Sequence, residues 1–267
     1  MKRVVICGLC SAVLLLIGAA DVKATVYADN FDAYGDTVPL ANGPLTDQNW
    51  LRRGEKNVFK VVNQTTTAGA VTLEAPGNPY DGAHGNWWKP NTSDAGTTYQ
   101  SVSIEFNTGT TSQMGSPYWG SLRLTLNQDI ANSGYYLENN GYVMTIRGLK
   151  DMWITRVDGS SWVWGGAGAG SAYDTFDADL QANTTYKATF TKDGANFTGK
   201  ITTLDGTILA QATYTETIAA LVGGNTGIIS QWGPNYTLDN FSYTLVPEPA
   251  TMALLGLGCL GLLKRRK

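Results

Sequence analysis

Histidine is almost missing from this sequence: His84, in DGAHGNWW, is the single one among 267 residues. A multi-histidine zinc site is therefore excluded, as is any histidine relay not built on His84 itself. Cysteine is nearly as scarce. Cys7, Cys10 and Cys259 lie in apolar stretches at the two ends, so residues 25–246 have no disulfide and no thiol nucleophile. Positive charge is also short. Of 19 Lys and Arg, seven sit in the ends (Lys2, Arg3, Lys23 and the run Lys264 to Lys267), which leaves 12 against 20 Asp and Glu between residues 25 and 246. That acidic balance argues against a nucleic-acid or anionic-membrane surface. A long apolar repeat of helical period is missing too: TFDADLQ around Asp177 and ETIAALV from Glu216 to Val222 are too short to organise a helical layer.

What the ends do contain is directional. MKRVVICGLCSAVLLLIGAADVKA has a basic start, an apolar run and small residues before a cut, and reads as a secretory signal peptide over residues 1–24, cleaved after Ala24. Cys7 and Cys10 follow Ile6 and Leu9 rather than small residues, which sets a lipoprotein aside. At the other end, VPEPATMALLGLGCLGLLKRRK has an apolar stretch of 14 residues, Ala250 to Leu263, followed by four cations. As a helix it would be roughly 21 Å long, short of the ~30 Å hydrocarbon core, so it is at most a weak anchor. The cations prefer the cytoplasmic face, which puts everything before Val246 on the other side.

The order Pro247, Glu248, Pro249, apolar run, Arg265 and Arg266 resembles the PEP-CTERM protein-sorting signal, over residues 247–267. The resemblance implies a tail held transiently in a bacterial inner membrane and cut near the motif by an exosortase-type processing enzyme. It also implies a destination at the cell surface or in an extracellular, biofilm-type matrix.

Between the two ends, residues 25–246 suit one domain. Apolar residues alternate in YQSVSIEFN (Val102, Ile104, Phe106), in WGSLRLTLNQ (Leu122, Leu124, Leu126) and in GYVMTIRG (Tyr142, Met144, Ile146), each with one buried and one wet face. Asp-Gly pairs at residues 158, 193 and 205 supply the left-handed backbone that closes hairpins, and residues 184–214 read as a three-stranded meander. About thirteen short strands predict an all-β fold of two packed antiparallel sheets. YADNFDAYG at the start, the strand around Tyr186 with its Asp-Gly hairpin, and GIISQWGPNYTLDNFSY at the end resemble the concanavalin A-like, laminin G-like jelly rolls. That resemblance implies a jelly-roll sandwich whose first and last strands pair, with Phe31 near Phe241.

Catalysis finds little support. The glucanases of this fold carry Glu-x-Asp-x-x-Glu on one strand, and nothing here matches; Glu105 and Glu138 are each alone on their strands. GGAGAGS (residues 165–171) lacks the Lys-Ser/Thr of a phosphate loop. No cofactor is expected beyond a structural calcium ion of the kind such sandwiches often carry. Its oxygen ligands would be Asp29, Asn30 and Asp32 with Asp239 and Asn240, brought together if the first and last strands pair. Asp174, Asp177 and Asp179 form a second oxygen-rich segment.

Aromatics are the richest signal, since all eight Trp lie between the ends. Flat rings offer an apolar face to sugar rings while neighbouring amides and carboxylates bond hydroxyls. The segment Tyr80 to Asn91 combines Tyr80, Trp87 and Trp88 with Asp81, Asn86 and Asn91, and its proline and glycine predict a shaped, sugar-facing loop with His84 in it. Trp119 is the expected core ring, Trp162 and Trp164 share a face, and Trp232 sits in a loop. The function these residues point to is an exported, surface- or matrix-associated, non-catalytic module that binds carbohydrate. A structural coat protein without glycan specificity, and a polysaccharide hydrolase or lyase, remain open alternatives.

Overall fold

The computed structural model describes residues 24–29, 50–53, 59–64, 67–73, 83–88, 97–108, 121–128, 141–147, 151–157, 171–175, 179–217, 225–231 and 237–247. The strands are β1 (Thr25–Asp29), β2 (Trp50–Arg53), β3 (Phe59–Gln64), β4 (Thr67–Leu73), β5 (Ala83–Trp88), β6 (Thr97–Asn107), β7 (Ser121–Gln128) and β8 (Gly141–Arg147). They continue with β9 (Asp151–Val157), β10 (Ser171–Thr175), β11 (Thr185–Asp193), β12 (Asn196–Thr203), β13 (Ile208–Thr215), β14 (Asn225–Gln231) and β15 (Thr237–Pro247). Among the described residues there is no helix. The expected signal peptide and nearly all of the sorting tail lie outside them.

The strands form two antiparallel sheets. One has eight strands in the order β13-β12-β11-β6-β15-β4-β3, with β1 also on β15; the other has seven, β10-β9-β8-β7-β14-β5-β2. β15 is central: β6 flanks one side, while β1 and β4 share the other, β1 against Phe241 to Leu245 and β4 against Thr237 and Leu238. The expected pairing of first and last strands is therefore present, with Asp29 opposite Phe241. Phe31 lies outside the described residues.

The alternation of each strand decides what enters the core. Val102, Ile104 and Phe106 of β6, Ala188 and Phe190 of β11, and Phe197 and Ile201 of β12 are fully buried, and meet Leu122, Leu124, Leu126, Met144, Ile146 and Ile154 of the other sheet in one cluster. Burying such aliphatic and aromatic side chains contributes on the order of 1.5–3 kcal/mol each. The two sheets close tightly at Gly199: a Cβ there would stand 3.1 Å from Met144 Sδ and 3.3 Å from its Cγ, so a side chain on β12 would press into β8.

The meander is β11, β12 and β13, joined at the two expected Asp-Gly turns, where Gly194 and Gly206 have φ of 59° and 92°. Asp205 anchors the second turn. Its carboxylate accepts from the Thr203 hydroxyl and, at 3.1 Å, from Thr207 N, and these bonds, Thr203 first, hold it below the ordinary carboxylate range.

One expectation is corrected. β7 and β8 do not have a wet outer face: Arg123, Thr125, Asn127, Val143 and Thr145, which alternate with the core residues, are each at most 3% exposed. Alternation reports the face that packs on the opposite sheet, whereas polar residues on the other face can equally be covered if their groups are hydrogen-bonded.

Candidate functional site

The segment expected as a sugar-facing loop is in part a strand, which is a second correction. Residues 83–88 form β5, paired on one side with β14 and on the other with β2, so His84 is a strand residue opposite Ser230. The physical reason is visible in the sequence. Pro79 and Pro90 both fall outside β5, the backbone donors of residues 83–88 are intact, and tryptophan suits a pleated strand. Tyr80, Asp81 and Asn91 lie outside the described residues.

Register brings tryptophans together that the sequence keeps apart. Trp88 stands opposite Trp50 of β2 and opposite Thr226 of β14, while Trp87 stands between Leu51 and Gly227; Asn86 stands between Arg52 and Ile228. Trp50 is thus a neighbour of the candidate ring that reading along the chain missed. Directly opposed residues in an antiparallel pair have Cα atoms ~4.5–5.5 Å apart, close enough for large side chains on one face to interact. Trp119, Trp162, Trp164 and Trp232 lie outside the described residues.

Toward the middle of the same sheet the outer face is polar and closed. The Arg123 guanidinium is buried there, and burial pulls its pKa down to about 9. Arg147 lies over the Trp153 ring, 5.0 Å from its centroid, and pairs with Asp151, its Nε donating at 3.2 Å. With Trp153 8% exposed and an arginine on its face, that ring is not an open platform.

A second polar cluster ties the two sheets at one end of the core. Glu216, just past β13, accepts from the Tyr142 hydroxyl of β8 at 2.9 Å, from Arg156 Nη1 of β9 at 2.5 Å and from the Tyr214 hydroxyl of β13 at 3.3 Å. Its side chain is 1% exposed and that of Arg156 10%. Tyr142 and Phe197 stack below it, with ring centroids 3.8 Å apart. Burial first, then the Glu216 carboxylate, push the Tyr214 phenol above its ordinary value, against a smaller opposing effect of Arg156. The three hydrogen bonds and the ring stack make this a structural clasp between sheets.

The expected calcium ligands divide. Asp29 of β1 and Asp239 of β15 fall in the same corner of the eight-stranded sheet, whereas Asn30 and Asp32 lie outside the described residues. Glu105, read as alone on its strand, has Asp239 opposite it on one side and Lys187 on the other. A bulge follows Asp239, where Asn240 takes a φ of 48°; its amide nitrogen donates to Asp239 Oδ1 at 2.6 Å and its Nδ2 to Glu105 Oε2 at 2.9 Å. Both carboxylates therefore already serve the bulge. Among the described residues no three acidic, histidine or cysteine side chains are grouped as metal ligands. The second oxygen-rich segment divides as well: Asp174 Oδ2 accepts from Gln211 N at 2.8 Å and so caps the edge strand β13, and Asp179 is exposed.

Two antiparallel sheets with paired first and last strands make a jelly-roll sandwich. A protein of unknown function with galectin-like fold from Bacillus subtilis is similar to it with a TM-score of 0.52 at 10% identity, over 85% of this chain and 100% of that one. Lectin II from Ulex europaeus gives a TM-score of 0.48 at 12% identity, over 84% and 98% of the two chains. The carbohydrate-binding module CBM66 from Bacillus subtilis gives 0.44 at 10% identity, over 73% and 95%. Residues 245–267 match the PEP-CTERM protein-sorting motif. The chain is thus an exported protein sorted to the cell envelope, whose tail is a substrate for an exosortase-type enzyme. No curated protein matches the sequence.

Proposed function

We propose that the jelly roll is a non-catalytic carbohydrate-binding module displayed at the cell surface or in the surrounding matrix, with extracellular polysaccharide as its ligand. The observation that carries this reading is the register of β2, β5 and β14, which sets Trp50 directly opposite Trp88, with Trp87 the adjacent residue of β5 between Leu51 and Gly227. Asn86, with Tyr80, Asp81 and Asn91 from the flanking segments, would bond the hydroxyls. A glycan array of the exported domain, residues 25–247, is expected to identify a ligand. Trp87→Ala and Trp88→Ala are then made singly. The variant that loses a stacking ring is expected to bind about thirtyfold more weakly, equivalent to ~2 kcal/mol, with unchanged thermal unfolding. Early unfolding of both variants, or full affinity in both, would move the binding face elsewhere.

The same reading includes calcium at the β1 and β15 corner, with Asp29, Asn30, Asp32, Asp239 and Asn240 as oxygen donors of the kind this cation takes. Chelation is expected to lower the melting temperature, because an ion bound only by the folded state stabilises it. An unchanged melting temperature together with no metal by elemental analysis would remove the ion.

A further inference from the structure

The register of the seven-stranded sheet sorts its residues between two faces, because alternate residues of a strand share a face and so do directly opposed residues of neighbouring strands. The row Arg52, Asn86, Ile228, Leu124, Met144, Ile154 lies on the core side, since its last four members belong to the core cluster. Trp50 and Trp88, two residues along from Arg52 and Asn86, fall on that same side. Two further rows fall on the outer face. One is Leu51, Trp87, Gly227, Thr125, Val143, and the other is Arg53, Gly85, Ile229, Arg123, Thr145. The adjacent tryptophans of β5 are thus divided, position 87 on the outer face and position 88 on the core side.

Position 87 has bare backbone on two sides. Gly227 stands directly opposite it and Gly85 two residues before it, and glycine inside a strand marks a place where a ligand can approach the backbone closely. Arg53, opposite Gly85, is the diagonal neighbour of Trp87. Charge is distributed in the same sense. All five arginines between residues 25 and 246 (Arg52, Arg53, Arg123, Arg147 and Arg156) lie in strands of this sheet, while the lysines that lie in strands are all in the other. Arg147 is paired with Asp151 and Arg156 with Glu216. By contrast β2, β5 and β14 contain no acidic residue, and Glu55, the nearest along the chain from Arg53, lies outside β2.

We infer that Trp87 is the stacking ring of the carbohydrate site and that Arg53 fits the site to an acidic polysaccharide, one whose sugars carry carboxylates. A guanidinium is a planar fork that gives a carboxylate two parallel hydrogen bonds, a match that a neutral sugar does not return. A uronate ring set against Trp87 over Gly85 and Gly227 would bring its carboxylate to the Arg53 end of the row. Toward the middle of the sheet both rows are covered, with Arg123 and Val143 3% exposed and Thr125 0%, so the site ends at β14. The excess of acidic residues between residues 25 and 246, 20 against 12 cations, opposes a broad anion-binding surface but not one contact between fork and carboxylate. The inference rests on the carbohydrate reading and names the class of sugar.

The test uses the full chain in mild detergent with two polyuronates, polygalacturonate and alginate, each beside the same polymer with its carboxylates reduced to primary alcohols. The unmodified chain is expected to bind at least one polyuronate about tenfold or more tightly than its reduced form. Arg53→Gln should bring that polyuronate down to the affinity of the reduced polymer and leave binding of the reduced polymer unchanged, with Arg53→Lys falling between. Trp87→Ala should weaken both forms about thirtyfold with unchanged thermal unfolding, whereas Trp88→Ala should lower the melting temperature. Binding of neutral glycans only, equal binding of acidic and reduced forms, or an unchanged preference in whichever Arg53 variant unfolds at the wild-type temperature would overturn the inference. So would weakened binding at wild-type stability in Trp88→Ala but not in Trp87→Ala. In each of these cases sugar is still bound and the carbohydrate reading stands, whereas a chain that binds neither these polymers nor any neutral glycan removes both.

Discussion

Glu216→Ala is expected to lower the stability of the exported domain by about 3–5 kcal/mol, the cost of removing one partner from a buried ion pair. The loss comes from what remains. Arg156 keeps its charge with its side chain only 10% exposed, and the Tyr142 and Tyr214 hydroxyls lose the acceptor that links β8 to β13. Urea unfolding of Glu216→Ala, Glu216→Gln and the double variant Glu216→Ala with Arg156→Met separates these effects. The glutamine keeps an acceptor for the tyrosines and should lose less, while the double variant also removes the buried Arg156 charge and should recover part of the stability. A change under ~1 kcal/mol in the alanine variant would show that the clasp is not a tie between the sheets. The raised pKa of Tyr214 adds a pH signature. Its contribution is complete below the ordinary tyrosine value near 10 and is lost as pH climbs through the higher folded value, because the unfolded chain releases its proton first. Stability should therefore fall on the alkaline side, and less steeply in Glu216→Ala, where one cause of the shift is gone.

Phe197→Ala is expected to cost a further ~3–5 kcal/mol by itself, as truncating a fully buried aromatic leaves a cavity as well as lost transfer energy. Phe197 is fully buried, stacks on Tyr142 and has Phe190 and Tyr214 with ring centroids 6.1 Å away. Those four rings come from β8, β11, β12 and β13, so the hole opens between sheets rather than within one. Because Tyr142 also donates to Glu216, the Phe197 and Glu216 variants should not add: a double-mutant cycle is expected to give a coupling of ~0.5–3 kcal/mol. Additivity within ~0.3 kcal/mol would mean that stack and clasp act separately.

Much of this was legible along the chain. Period-two apolar residues at 102–106, 122–126 and 142–146, and the Asp-Gly turns at 193 and 205, depend on local backbone geometry and on which side chains avoid water, and both are written in adjacent residues. The sorting tail is legible for the same reason, being a contiguous sequence of charge and hydropathy. The lone histidine and the absence of cysteine from residues 25–246 likewise set limits on chemistry that no fold can lift.

Only tertiary structure decided what stands beside what. Trp50 stands opposite Trp88 and Glu105 opposite Asp239 in register, at positions 38 and 134 residues apart in the chain, and no local pattern carries such a register. β5 looked like a loop because its flanking prolines and its glycine outweigh six residues of extended chain until β14 and β2 supply hydrogen-bond partners on both edges. Glu216 looked like the start of a short helix; it became the acceptor for three donors because packing of the two sheets delivered Tyr142, Arg156 and Tyr214 to one carboxylate. Residue chemistry and chain period are properties of neighbours in sequence, whereas burial, register and pairing are properties of the closed sandwich.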